Sequence, residues 1–221
     1  MRKTIFNLFS ITIIFVLFSL GTWQLYRLQW KENIINKIEV FSKLPPISFD
    51  INSIEEFKKI KIKGKLLEKN YFLYQLNEKG NYGFNLISVL QTDNSNFFLV
   101  KRGWLPKIEK KYEENYPSET ANNVEIEGTL YLVKPKRNFV PENSNKEKFY
   151  YYLDIGQLSK SLNVQLEPYL IEQSSPDKYF VNLKNTSRIN ITNNHLQYAI
   201  TWYVLGFCIL IAFWFLKKRY K

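Results

Sequence analysis

Four residues near the C-terminus, His195, Ala199, Trp202 and Gly206, stand at i, i+4, i+7 and i+11 within "NNHLQYAITWYVLG" (193–206). That spacing places them on one stripe of a helix. His195 is the only histidine in the chain. From its polar end inward the stripe offers an imidazole, a small residue, an indole and a second small residue, a face that suits a flat apolar macrocycle with polar edges. Neutral imidazole is a common metal ligand, and haem iron is often held by a single protein histidine. A second cluster, "GTWQLYRLQWK" (21–31), stacks Trp23, Arg27 and Trp30 at i, i+4 and i+7, with Gln24 and Lys31 alongside. The planar guanidinium of Arg27 can pair bidentately with a carboxylate such as a porphyrin propionate. Taken together, these residues describe a porphyrin site with iron on His195 and propionates on Arg27 or Lys31. A plainer reading stands beside it. Trp and Tyr belts line membrane interfaces in proteins of every function, basic side chains near helix ends snorkel, and a lone interfacial histidine can act as a hydrogen-bonding cap.

Both clusters border apolar stretches, Ile5 to Trp23 and Tyr198 to Leu216. A bilayer's hydrocarbon core takes roughly 20 apolar residues as helix. The first stretch is interrupted only by Asn7 and a few Ser/Thr, the second by Thr201 apart from tyrosine hydroxyls, indole N–H groups and a thiol. The expectation is therefore a transmembrane helix at 5–23, a helical extension at 24–44, an outer domain at 45–192, a second transmembrane helix at 198–216 and a basic tail at 217–221. In such a hairpin the end of the first span and the start of the second lie on the same side of the membrane. The two aromatic and polar clusters thus share one interface.

The formal charge of +11 does not point to nucleic acid, because of where it sits. Of 31 Lys/Arg, six flank the spans (Arg2, Lys3, Lys217, Lys218, Arg219 and Lys221), which leaves 25 against 20 Asp/Glu in the connecting domain. Basic residues at both ends fit a hairpin with both termini cytoplasmic and the domain periplasmic. Arg27, Lys31 and Lys37 on the outer side are tolerated, since long loops translocate largely regardless of charge. The rival for the first span is a signal peptide cleaved after Ser19-Leu20-Gly21; Trp23, Gln24 and Arg27 immediately beyond it favour an uncleaved anchor. Cys208 is the only cysteine and lies inside the second span, where it reads as a small packing hydrophobe. The outer domain can then form no intramolecular disulfide and no C-x-x-C site.

Beyond Trp23 the helix should continue, with Trp30, Ile34, Ile38 and Phe41 along one face until Pro45-Pro46 stops it. Ser53 and Glu56 form a capping box for a short helix. Seven segments rich in β-branched and aromatic residues follow: 58–67, 71–76, 84–90, 96–104, 124–133, 148–153 and 167–173. They imply a β-rich, α+β domain, barrel-like in character. "DIGQLSKSL" (154–162) reads as its one helix, with Asp154 at the N-cap and Ile155, Leu158 and Leu162 facing inward. The stretches 109–123 and 141–148 read as mobile polar loops. In "VKRGWLP" (100–106), Gly103 suggests a bulge or a close backbone approach at a strand end, with Lys101 and Arg102 facing a partner or solvent. No phosphate loop, metal-ligand cluster or Ser/His/Asp arrangement is visible, so an anchored enzyme has no candidate machinery.

"LGTWQLYRLQWK" (20–31), "VKRGWLP", "YYLDIGQL" (151–158) and "NNHLQYAITWYVLG" occur in an order and spacing that resemble the Surfeit locus protein 1 family of cytochrome c oxidase assembly factors. The resemblance covers nearly the whole chain, and the two membrane-boundary motifs are its most specific parts. It implies a two-span protein of the bacterial cytoplasmic membrane or the mitochondrial inner membrane. It also implies a part in assembling haem-copper oxidases, through haem a delivery to oxidase subunit I, with haem a synthesis enzymes as further partners. By the resemblance His195 is the haem ligand, and Trp23, Gln24, Arg27, Tyr198, Thr201 and Trp202 belong to the family's motifs. Met1-Arg2-Lys3 leads straight into the span without a presequence, which favours a bacterial member. Copper delivery would want a Cys pair, whereas a carrier of haem needs one axial ligand. The alternative is a scaffold without haem, whose motifs serve helix packing and oxidase contact.

Overall fold

In the computed structural model, which describes residues 2–76, 80–106, 121–143, 149–174 and 193–219, the first apolar stretch and its extension form one unbroken helix, α1 (Arg2–Lys43). Pro45 and Pro46 follow its end; neither has an amide hydrogen to continue the ladder. The chain then divides into two compact units, Met1–Glu39 with Ile189–Lys221, and Val40–Arg188.

The second unit is built on a mixed sheet. Its strands are β1 (Ile47–Ser48), β2 (Lys59–Leu76), β3 (Tyr82–Thr92), β4 (Phe97–Pro106), β5 (Ala121–Leu132), β6 (Phe149–Tyr150) and β7 (Leu166–Gln173), with helix α2 (Ile155–Leu162) before the last. The pairings run β2–β3–β4–β7–β5 and return from β5 to β2. Each of these five strands therefore has a neighbour on both sides, which fits the barrel-like expectation and removes free edges along the paired stretches. Only β4–β7 is parallel within this ring; the other four pairings are antiparallel. Gly64 sits where β2 pairs both ways, opposite Thr92 on one side and Val124 on the other. A Cβ there would lie 2.2 Å from the Gln91 carbonyl oxygen, so only glycine permits the approach.

Alternation along the strands sorts the two larger of three buried clusters, the third being Phe72, Leu86 and Leu105. All five ring strands contribute to one cluster, for example through Ile62, Leu90, Phe98, Ile126 and Ile171. Residues of opposite parity, including Ile87, Val89 and Leu99, pack beneath α2 against Leu158, which is 1 % exposed. Helix α2 starts where Asp154 accepts from the Gln157 amide at 2.9 Å, and ends at Asn163 in the left-handed conformation. Ile155 and Leu162 join the same cluster, as the sequence pattern required.

Several expectations are corrected. The segments 58–67 and 71–76 are one strand, interrupted only by a register shift between Leu66 and Asn70. Their shared periodicity carries through because Leu67 to Lys69 form a bulge rather than a turn, three residues between Leu66 and Asn70 standing opposite one between Leu90 and Ser88. Ser53 caps nothing: it ends a 3-10 turn (Ile51–Ser53) whose cap is Asp50, and the Asp50 carboxylate accepts from the Asn52 amide. Of the described residues 149–153 only Phe149–Tyr150 is strand, because Asn143 takes the Tyr151 amide at 2.8 Å and ends the pairing. Of the polar stretches, residues 109–120 and 144–148 lie outside the described residues, while Ala121–Asn123 begin β5. The register shifts between Gly103 and Lys101, as the glycine suggested, but within β4 and not at its end. Lys101 is turned away from solvent: its ammonium lies 2.7 Å from Glu172, with the two side chains 14 % and 10 % exposed.

Helix α3 (His195–Arg219) returns to the first unit. Both long helices contain apolar windows of which 11 % is buried, so they are not core helices of a soluble fold. The protein is a membrane protein with two candidate transmembrane helices flanking a mixed-sheet domain.

Tyr131 lies beside the Lys101–Glu172 pair, and burial first, then the Glu172 carboxylate, hold its phenol well above the ordinary tyrosine range. In the unfolded chain a phenol ionises near pH 10. Above about that pH the folded state holds the extra proton, and this stability is lost as pH rises further. The thermal midpoint of the full chain in detergent should therefore fall more steeply between pH of about 9 and 11 for wild type than for Tyr131→Phe. Equal slopes would contradict the assignment.

Candidate functional site

The start of α3 is set by Asn194, whose carbonyl accepts from the Tyr198 amide at 3.2 Å, so His195 is the first helical residue. Its ring nitrogen Nδ1 lies 2.6 Å from the amide oxygen Oε1 of Gln24 on α1. The two clusters at the membrane boundary do meet, and this contact joins them. Further contacts show that the helices run antiparallel: Phe18 packs against Tyr203 and Phe207, and Phe6 lies 6.3 Å from Phe213 between ring centroids.

The seam between them repeats every seven residues. Ser10, Leu17, Gly21 and Gln24 of α1 face His195, Ala199, Trp202 and Gly206 of α3, and Ala199 is only 1 % exposed. Helices in lipid associate by close packing at small residues. A Cβ on Gly21 would lie 2.9 Å from the Tyr203 ring, and one on Gly206 would lie 2.9 Å from the Phe18 ring, so each glycine seats an aromatic of the other helix. The Thr22 hydroxyl donates to the Phe18 carbonyl at 3.0 Å, which leaves its oxygen to accept from the Tyr203 hydroxyl, also at 3.0 Å. The stripe that the sequence offered as a macrocycle face is thus the helix seam. The physical reason is simple: small residues that clear a flat ligand clear a neighbouring helix equally well.

His195 is half-buried at the mouth of this seam. Helical geometry of about 100° per residue decides what surrounds it. Counted from Gln24, the side chains of Trp23 and Arg27 fall on one flank of α1; counted from His195, Tyr198 falls on the matching flank of α3. The antiparallel arrangement brings these flanks to the same side. Phe18, Tyr203 and Phe207 fill the other side. Trp23 and Tyr198 are 53 % and 56 % exposed, and the Arg27 guanidinium rests 4.3 Å above the Trp30 ring. Lys31 is partly exposed a turn beyond Arg27, and Trp202 is partly buried on the seam. The result is a half-buried imidazole with an open aromatic flank and a cation one turn outward. Among the described residues no group of three or more His, Cys, Asp and Glu is placed to hold a metal ion.

Gln24 is the residue to which the sequence reading assigned no role of its own. The signal for it was present: an amide near the end of the first span, level in a hairpin with the only histidine.

The SURF1 family model matches residues 11–207, a range that contains both clusters. Surfeit locus protein 1 of Takifugu rubripes is 27 % identical over 224 residues, covering 90 % of this chain and 91 % of the relative. SURF1-like protein of Rickettsia felis is 27 % identical, covering 94 % of each chain. SURF1-like protein of Rickettsia prowazekii is 29 % identical, covering 94 % of this chain and 87 % of its own.

If Gly206 seats Phe18, then Gly206→Ala should destabilise the helix pair by about 1–3 kcal/mol. The cost should shrink when Phe18→Ala opens the space. Thermal unfolding of the four proteins of this double-mutant cycle in detergent checks the coupling; additive effects would contradict the seam.

Proposed function

The chain belongs to the SURF1 family, and on that premise we propose that it is an assembly factor for haem-copper cytochrome c oxidase which holds haem a transiently at His195 and aids its insertion into oxidase subunit I. One observation carries the haem reading. His195 is oriented through Nδ1 by Gln24, which leaves Nε2 as the ring nitrogen for a ligand, beside the open flank of Trp23 and Tyr198.

The residues fit this cargo in a particular way. Ala199 and Gly206 are closed off by α1, so a macrocycle does not lie between the helices. It approaches His195 from the open flank, where Trp23 and Tyr198 supply ring faces and Trp202 backs the seam. Arg27 and Lys31, farther out, are placed for the propionates; the Arg27 guanidinium would keep its stacking on Trp30 while its edge takes a carboxylate. A single axial histidine holds reversibly, which suits delivery, and the protein acts as a carrier rather than a catalyst. The outer domain engages the nascent oxidase, and haem a synthesis enzymes supply the cargo. We place the chain in the bacterial cytoplasmic membrane, termini inside and domain periplasmic, with the mitochondrial inner membrane as the alternative.

After co-expression with haem a synthesis enzymes, the purified wild type should carry haem a, and His195→Ala should retain about tenfold less or lower, since even loss of an outer partner of a ligand costs 10–100-fold. The optical spectrum of the two proteins decides. A haem-free wild type would favour the scaffold reading, and a folded mutant with full occupancy would remove His195 as the ligand.

A further inference from the structure

We propose that Gln24 is a positioning residue that fixes the tautomer of His195, holding the proton on Nδ1 so that Nε2 presents its lone pair to a ligand. The identity of that ligand rests on the haem reading; the placement of the proton rests on geometry alone.

An amide oxygen has lone pairs and no hydrogen. With Oε1 at 2.6 Å from Nδ1, the bond requires Nδ1–H as donor. In a neutral ring the other nitrogen is then bare, and the bond made by one ring nitrogen sets what the other can do. The two side chains come from different helices and are both half-buried, where a hydrogen bond is stronger than in water. The register that brings them together is held independently by Gly21 against Tyr203 and Gly206 against Phe18. The ring is therefore pinned at one nitrogen, with the other directed away from α1.

The type of acceptor matters as much as its position. Partners of metal-ligating histidines are often carboxylates, which draw on the proton and raise ligand basicity. A neutral amide orients the ring and contributes little basicity. Position 24 thus gives direction without tight retention, the combination wanted of a site that must give up its cargo.

The sole histidine makes the test direct. Full-length protein with 13C,15N-histidine, reconstituted in bilayers at mildly alkaline pH, gives one pair of ring nitrogens by solid-state NMR. Wild type should show Nδ1 protonated and Nε2 bare. Gln24→Leu should shift the population toward Nε2–H, and Gln24→Glu should restore Nδ1–H. A wild type protonated at Nε2, or ring signals unchanged in Gln24→Leu, would overturn the proposal. If Gln24→Leu does not fold, the wild type and Gln24→Glu spectra still decide. Loaded with haem a, Gln24→Leu should bind about 10–100-fold more weakly, whereas Gln24→Glu should bind at least as tightly as wild type and lower the reduction potential of the iron. A bond that only ties the helices would leave that potential unmoved, which would defeat the positioning role. Were the wild type to show the expected tautomer and still bind no haem a, the carrier reading would fall while the control of the proton by Gln24 stood.

Discussion

The contact between His195 on the third helix and Gln24 on the first is the constraint around which the membrane unit is organised. It joins residues 171 positions apart, and it can form only if the helices are antiparallel, in register and close. Closeness comes from Gly21, Ala199 and Gly206, and register from the aromatics that two of these small residues seat. The polar bonds, His195 to Gln24 and Tyr203 to Thr22, are satisfied across the seam, as groups in an apolar medium must be. One flank of the pair is filled with aromatic packing and the other carries exposed Trp23 and Tyr198 beside the imidazole.

The mixed-sheet domain obeys a separate logic. Its five-stranded ring leaves no free edge along the paired stretches, and its two larger cores arise from opposite parities of the same strands. Lys101, which in the sequence looked available to a partner, is committed to Glu172 on the sheet. A nearly buried ion pair of this kind is weak evidence for net stability; removing one member would strand the other charge.

The parts of this structure that were legible in the sequence share a cause. The spans, the capped helix α2 and most of the strands are written in local periodicity and in single-residue signals such as Asp154, and the shared interface of the two clusters follows from hairpin topology. What was not legible depends on partners distant in sequence. The stripe His195, Ala199, Trp202 and Gly206 was correctly identified as one face, yet spacing alone cannot say whether a ligand or a helix covers it. Gln24 was named but given no role, since an amide acquires one only when its partner is known. The capping box at Ser53 failed because Asp50, three residues earlier, accepts the local amide first. The two segments of β2 were split because a bulge and a turn look alike when the neighbouring strand is unseen.

The central claim is that His195 Nε2 holds the iron of haem a, and resonance Raman spectroscopy of the ferrous, haem a-loaded protein tests it most directly. With one histidine in the chain, any iron–imidazole band that moves on 15N-histidine labelling belongs to His195. The account predicts such a band and its isotope shift in wild type and its absence in His195→Ala. A loaded protein whose spectrum contains no band sensitive to the label would contradict it.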